Sequence, residues 1–202
     1  MKRIVLAMTG ASGSIYGLRL GRELLASGAS LTLLISATGF RVIREETGLD
    51  LYGEGDAERA LGSYFSPEAG ALRYYGEDDF FAPIASGSSA PDAMVVCPCS
   101  MGSLSRIACG SSGTLLERCA DVMLKERRPL ILVPRETPLN EIHLENMLKL
   151  ARMGARIVPA MPAFYHHPAS VDDMVDFVVG KVLDSMGIEN GLFKRWKDKS
   201  GD

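Results

Sequence analysis

Between Glu117 and Glu136 the chain carries five cations (Arg118, Lys125, Arg127, Arg128, Arg135) and four anions (Glu117, Asp121, Glu126, Glu136). A charge run is ordinarily a solvated face, and Arg127 with Arg128 fits that description. Arg118 and Lys125 are seven residues apart. On a helix that spacing puts them within about 20° of one face and about 10 Å apart along the axis, which suits two grips on one phosphorylated ligand. Lys181 follows Met174 by seven residues, and Met174, Phe177, Val178 and Val182 read as an inward stripe. The lysine is therefore expected inside that stripe. An ammonium there needs an anion, here read as a ligand, or a stem that snorkels outward.

Hydroxyls and glycines mark three further points. Thr9-Gly10-Ala11-Ser12-Gly13-Ser14 joins an apolar run to a helix-like stretch, where free amides attract a phosphate or carboxylate. Cys97-Pro98-Cys99-Ser100-Met101-Gly102-Ser103 places small residues at a second such junction, as a helix cap or as a seam for a flat ring. Ser86-Gly87-Ser88-Ser89 reads as a second polar wall or a plain loop. A nicotinamide dehydrogenase is opposed by Ser14 and Tyr16 at glycine positions, by Ser36 where an acid should hold a ribose, and by the lack of Tyr-x-x-x-Lys. His166 and His167 are adjacent and no HExxH occurs, so no metal site is expected. Tyr165 offers a hydroxyl to a phosphate or packs against Pro162. Arg135 and Glu136 act at a crevice or pair with each other.

The elements that position these groups alternate regularly. Apolar runs at Arg3–Met8, Leu31–Ser36, Ala93–Cys97, Leu130–Pro134 and Ala155–Pro159 predict buried parallel strands. Helices are predicted at Ile15–Ser27, Gly39–Thr47, Ser100–Cys109, Leu115–Glu126, Asn140–Met153 and Ser170–Met186, the last opened by a capping box from Ser170 to Asp173. In such a sheet the binding crevice lies at the carboxyl ends of the strands. The stretch 52–89, rich in Gly, Ser, Pro and acid, is expected to be an excursion or lid rather than a core layer. Residues 1–187 are expected to form a single domain and 188–202 a tail. Within that tail Trp196, the only tryptophan, pins to its own domain or docks on a neighbouring subunit.

With 202 residues, 47% hydrophobic and 23% charged, the chain has an ordinary globular balance that excludes disorder and coiled coil. A net charge of -3 leaves no excess for a nucleic-acid backbone or an anionic membrane. The apolar run Ile4–Met8 stops at Thr9-Gly10, short of the about 7–15 residues of a secretory core. No run approaches the roughly 18 apolar residues of a membrane helix. Four cysteines are too few for a disulfide framework, and a cytoplasmic protein is expected.

The sequence resembles the flavin prenyltransferases, the UbiX-type enzymes formerly described as aromatic-acid decarboxylases. The resemblance rests on Thr9-Gly10-Ala11-Ser12-Gly13, Ser86-Gly87-Ser88, Cys97-Pro98-Cys99-Ser100, Ala120-Asp121-Val122, Leu124-Lys125-Glu126-Arg127-Arg128-Pro129-Leu130, Val133 through Leu139, and Pro162 through His166, in the family's order. It implies a flavodoxin-like, Rossmann-type α/β fold of three layers, binding FMN and assembling as a homododecamer. The implied reaction joins a dimethylallyl group from dimethylallyl monophosphate to reduced FMN, at N5 and then C6, without a metal. Prenylated FMN then passes to a UbiD-type decarboxylase.

By matching position, the resemblance assigns FMN contacts to Gly10, Ala11, Ser12, Ser36, Ser86, Ser100, Met101, Gly102, Ser103 and Arg135. It assigns the prenyl phosphate to Lys125, Tyr165 and Lys181, assisted by Arg118 and Glu136 from neighbouring surfaces. Glu46 sits near the reacting carbons, Ser12 with Glu136 relays protons, and Trp196 closes the site. Many relatives carry Arg where Lys181 stands, and some carry Trp near Phe80. Two other readings are a flavin-dependent decarboxylase of the peptidyl-cysteine type, whose Pro-Ala-Ser-Ala-Asn motif is missing, and a non-catalytic flavin carrier.

Overall fold

The structure is a computed structural model that describes residues 1–52, 56–68 and 70–196. Parts of the expected excursion (53–55 and 69) and of the tail (197–202) lie outside the described residues. Six parallel strands run in the order β3-β2-β1-β4-β5-β6. They are β1 (Arg3–Met8), β2 (Ser30–Ile35), β3 (Leu72–Tyr74), β4 (Ala93–Cys99), β5 (Leu130–Pro134) and β6 (Arg156–Ile157). The five expected strands alone follow the order of flavodoxin, and β3 extends them to the order of the dinucleotide folds.

Alternate residues of each strand face opposite layers, as a pleat requires. Ile4, Leu6 and Met8 of β1 join one core, and Val5 and Ala7 join the other. The first core is covered by α1 (Ser14–Ala26), α2 (Ala37–Thr47), α3 (Ala57–Phe65) and α7 (Val171–Ser185). The second is covered by α4 (Met101–Ala108), α5 (Leu115–Lys125) and α6 (Glu141–Arg152). A register shift between Val96 and Cys99 turns Cys97 to the first core and Cys99 to the second.

Two expectations are corrected. The segment 52–89 is not merely an excursion, since it supplies α3 and the edge strand β3, which pairs Leu72 with Leu31. Leu61 on α3 is fully buried, and Phe65 packs close to Gly21 of α1. Its polar composition disguised a nine-residue amphipathic helix capped by Asp56, whose side chain accepts from Arg59 N at 3.0 Å.

The second correction concerns Lys181. Its side chain is 49% exposed, with Nζ 3.9 Å from Asp184. The buried stripe of α7 centres on Val175, Val178, Val179 and Val182, and at about 100° per residue Lys181 stands about 110° from that centre. Phe177 misplaced the stripe, because it is buried by the chain's own loop and tail: His166 stacks on it at 5.2 Å and Phe193 meets it at 4.9 Å.

The described part of the tail returns along α7. Ile188, Leu192 and Phe193 pack on the first core, and Asp184 accepts from Arg195 at 2.7 Å and from Asn190 at 3.0 Å. These donors, Arg195 foremost, hold the Asp184 carboxyl below its ordinary value against the effect of burial. Trp196 meets Tyr165 edge to face at 5.2 Å, with the residue 66% exposed.

Candidate functional site

The strand order reverses direction between β1 and β4, and the turns leaving these strands are sewn together. Thr9 Oγ1 donates to Pro98 O at 2.9 Å and accepts from Ser100 N at 2.8 Å. A crevice of about 270 Å³ opens there, lined among others by Gly10, Ser36, Thr38, Ser100, Ser103 and Arg106. It is the crevice predicted for such a sheet, at the carboxyl ends of the strands beside the reversal. A methyl group at Gly10 would meet Thr38 Cγ2, and one at Gly17 would meet the backbone carbonyl oxygen of Cys97, so both positions need the bare backbone.

The first turn departs from the expected anion site. Two of its amides are taken: Glu46 accepts from Gly13 N at 2.9 Å and Ser14 N at 2.8 Å, and also from Ser14 Oγ at 2.7 Å. The carboxylate itself is the anion at the amino end of α1. Partial burial alone would raise its pKa, yet hydrogen bonds from Ser12, Ser14 and Gly13 prevail and hold it below the ordinary value. Glu46 is therefore ionised at neutral pH. Arg135 donates from Nε to Ser12 O at 3.1 Å, whereas Glu136 accepts from Thr137 N at 3.0 Å. The alternative of an Arg135–Glu136 ion pair is not the observed arrangement.

Phosphate-binding character falls instead to the start of α2 and α4. Ser36 caps α2 by accepting from Gly39 N at 2.9 Å, and Ser100 caps α4 by accepting from Ser103 N at 3.2 Å. Ser103 Oγ lies 3.1 Å from Ser100 Oγ and 3.2 Å from Arg106 Nη2. Met101 departs from the others, since its side chain is buried in the second core. Any contact it makes to a ligand in the crevice comes from its backbone. Hydroxyls, helix amino ends and a guanidinium suit a phosphorylated cofactor, and FMN meets those requirements.

Arg106, Thr114 and Thr38 line the crevice but were missed. Arg106 Nε reaches Glu117 Oε1 at 2.5 Å, and Glu117, 2% exposed, also accepts from Ser111 Oγ and Gly113 N at 2.9 Å. Burial pushes its pKa up, but Arg106, Ser111 and Gly113 outweigh that and lower it. The sequence held a signal, because Thr114-x-x-Glu117 is a capping pattern. Thr114 Oγ1 indeed accepts from Glu117 N at 3.3 Å.

The expected phosphate grips form two groups. Arg118 Nε donates to Ala85 O at 3.0 Å and Nη1 to Asp121 at 2.8 Å, and Lys125 pairs with Glu126. Gly87 brings the 86–89 turn against this pair, within which Ser86 Oγ lies 3.0 Å from Ser88 Oγ. Tyr165, Trp196 and Lys181 gather at α7, where Tyr165 meets Phe177 at 5.8 Å. The helix α5 covers the second core and α7 the first, so one chain places these groups over opposite faces of its sheet.

The sheet, the reversal point and the polar crevice define a nucleotide-cofactor-binding protein of the doubly wound class. A family model described as Flavoprotein matches residues 1–183. The flavin prenyltransferase UbiX of Pseudomonas aeruginosa is 52% identical over 199 residues, covering 98% of this chain and 95% of that protein. A crystal structure of a UbiX protein in complex with FMN and dimethylallyl pyrophosphate superposes with a TM-score of 0.86 at 40% identity, covering 97% of each chain. A dodecameric FMN-dependent UbiX-like decarboxylase from Escherichia coli O157:H7 superposes with a TM-score of 0.86 at 41% identity, covering 96% of this chain and 99% of that one. The chain belongs to the flavoprotein family and, within it, to the flavin prenyltransferases.

Among the described residues no group of three or more His, Cys, Asp or Glu could hold a metal ion. No helix among them is long and apolar enough to cross a membrane.

Proposed function

We propose that this protein transfers a dimethylallyl group from dimethylallyl monophosphate to N5 and C6 of reduced FMN. The observation that carries the reading is the ionised Glu46, held by the Ser12–Ser14 turn beside the crevice, in a chain half identical to flavin prenyltransferases. When bound and reduced, the flavin supplies the nucleophilic ring positions. Cations at Arg118, Lys125 and Lys181, with the Tyr165 hydroxyl, hold the departing phosphate and stabilise its charge. Glu46, as a carboxylate, faces the positive charge that develops on the allyl carbons and accepts a proton through Ser12. Arg135 fixes the Ser12 carbonyl, and Glu136 completes the proton path. Aromatic rings at Phe80 and Trp196 suit the allyl cation, and holding both reactants together supplies the entropic share of the acceleration.

The division of Lys125 and Lys181 over opposite faces supports a site shared between subunits of a homododecamer, with Trp196 closing it. The product goes to a UbiD-type decarboxylase. Residues 1–187 act as one FMN-binding unit. A cytoplasmic setting is supported by four free cysteines, three of them buried.

Anaerobic incubation with reduced FMN and dimethylallyl monophosphate, read by mass spectrometry, is expected to show a five-carbon addition to the flavin. Absence of the adduct with both the monophosphate and the pyrophosphate overturns the reading. Bound FMN without turnover would favour a flavin carrier.

A further inference from the structure

At the amino-terminal end of the sheet, away from the crevice, four guanidinium side chains line one cleft of about 660 Å³. Arg127 and Arg128 stand just beyond α5, Arg152 ends α6 and Arg156 opens β6. Among the described residues no carboxylate lines this cleft. Elsewhere arginines in clefts are accompanied by acids: Arg19 and Arg22 by Asp172 and Asp176, and Arg41 and Arg44 by Asp50. Arg127, Arg152 and Arg156 make no side-chain hydrogen bond or ion pair with other described residues. Among the described residues Arg128 has only the field of Glu126 nearby.

The carboxyl ends of α5 and α6 offset part of this charge. Each contributes about half an elementary negative charge, which leaves about three of the four positive charges uncompensated. The backbone at Arg127 adds a second observation. Its φ is 52°, a left-handed conformation normally given to glycine after a helix, fixed by Arg127 N to Leu124 O at 3.2 Å and Arg128 N to Met123 O at 2.8 Å. An arginine held there aims another cation at the same cleft. Pro129 and Met153 give the cleft an apolar ledge.

We propose that this cleft is a second ligand site, binding a small phosphate anion of three or more charges with a ring or apolar portion, the chemistry of a nucleoside triphosphate. Guanidinium forks match phosphate oxygens two at a time, and the ledge receives the ring. The five residues of β5 place it about 16 Å from the flavin crevice, so it does not depend on the prenyltransfer reading.

The test is calorimetric titration at physiological ionic strength of protein saturated with FMN and dimethylallyl monophosphate, which occupy the flavin crevice and the proposed prenyl-phosphate grips. Inorganic tripolyphosphate and adenosine triphosphate are the two probes. Saturable binding of one equivalent per chain is expected, tighter for the nucleotide because of the ledge. Arg152→Gln with Arg156→Gln is expected to weaken it at least tenfold, with FMN binding and circular dichroism unchanged. Arg152→Lys with Arg156→Lys is expected to restore part of the affinity. Equal binding by the wild type and the double glutamine variant overturns the proposal, as does absence of binding by the wild type at millimolar probe. If the wild type binds neither probe and the glutamine variant changes its sedimentation, the face is an interface between copies, and the proposal fails.

Discussion

Glu46 gains its role from the donors around it rather than from isolation. Three hydrogen bonds of 2.7–2.9 Å come from Gly13 and Ser14, with Ser12 as a further donor. Because its pKa is lower in the folded chain than in the unfolded one, the stability these bonds contribute is complete above the unfolded value, about 4.3. It is lost as pH falls through the lower folded value. Glu46→Gln is expected to reduce the melting temperature by a constant amount between pH 5 and 7, as about-neutral conditions keep the carboxylate charged. That difference begins to close as pH falls below the unfolded value of about 4.3 and is gone below the lower folded one. Thermal melts of both proteins across this range check the sign. Turnover is expected to fall by roughly a hundredfold or more in the same variant, the usual scale for loss of a proton-transfer group. The thiols follow a different rule. Burial pushes Cys99 and Cys119 up to about 12 and raises Cys97 as well, whereas Cys109 is exposed. One fast equivalent among four is therefore expected with a thiol reagent on native protein, and none after Cys109→Ser.

At the scale of elements, the segment 52–89 shows how composition and structure part company. Leu61 is 0% exposed on α3, while Phe81 is 102% exposed in the loop that follows β3. Leu61→Ala is expected to cost about 2–5 kcal/mol by leaving a cavity under the sheet edge. Phe81→Ser is expected to stay within about 0.5 kcal/mol. Urea unfolding of the two variants distinguishes a core layer from a lid, because a lid makes both substitutions cheap. Strands with unbroken apolar runs, such as Leu130–Pro134, were legible because both faces of a parallel sheet are buried. The helix at α3 was not legible, since an apolar stripe of three residues (Ala57, Leu61, Phe65) sits among Gly, Ser and acid. The site divided in the same way. Turns at strand ends announced Ser12, Ser36 and Ser100 through small residues. The burial of Lys181 was misjudged because Phe177 is covered by the tail, a long-range contact that helical spacing does not encode. The resemblance assigns Met101 to the cofactor, and because its side chain serves the core that contact is left to its backbone.

For the whole molecule, the division of cations across the sheet decides what a single chain can do. Lys125 ends α5 over one face, and Lys181 with Tyr165 belongs to α7 over the other. A phosphate small enough to be gripped by both cannot take them from the same copy through a six-stranded sheet. If both lysines grip the prenyl phosphate, as proposed, each site of a symmetric oligomer draws Lys125 from one subunit and Lys181 from another. Lys125→Ala and Lys181→Ala subunits, each inactive alone, are expected to complement each other when unfolded together, refolded and assembled at equal amounts. If the two residues come from different copies, random mixing gives each site both wild-type residues in about one case in four, the product of two independent halves. Activity per site is then expected to recover to about a quarter of wild type, with a bell-shaped dependence on mixing ratio that peaks at equal amounts. If one copy supplies both residues, every site carries one lesion whatever the ratio, and no recovery appears. Sedimentation of the mixture, compared with wild type, confirms that the variants assemble before the activity is read.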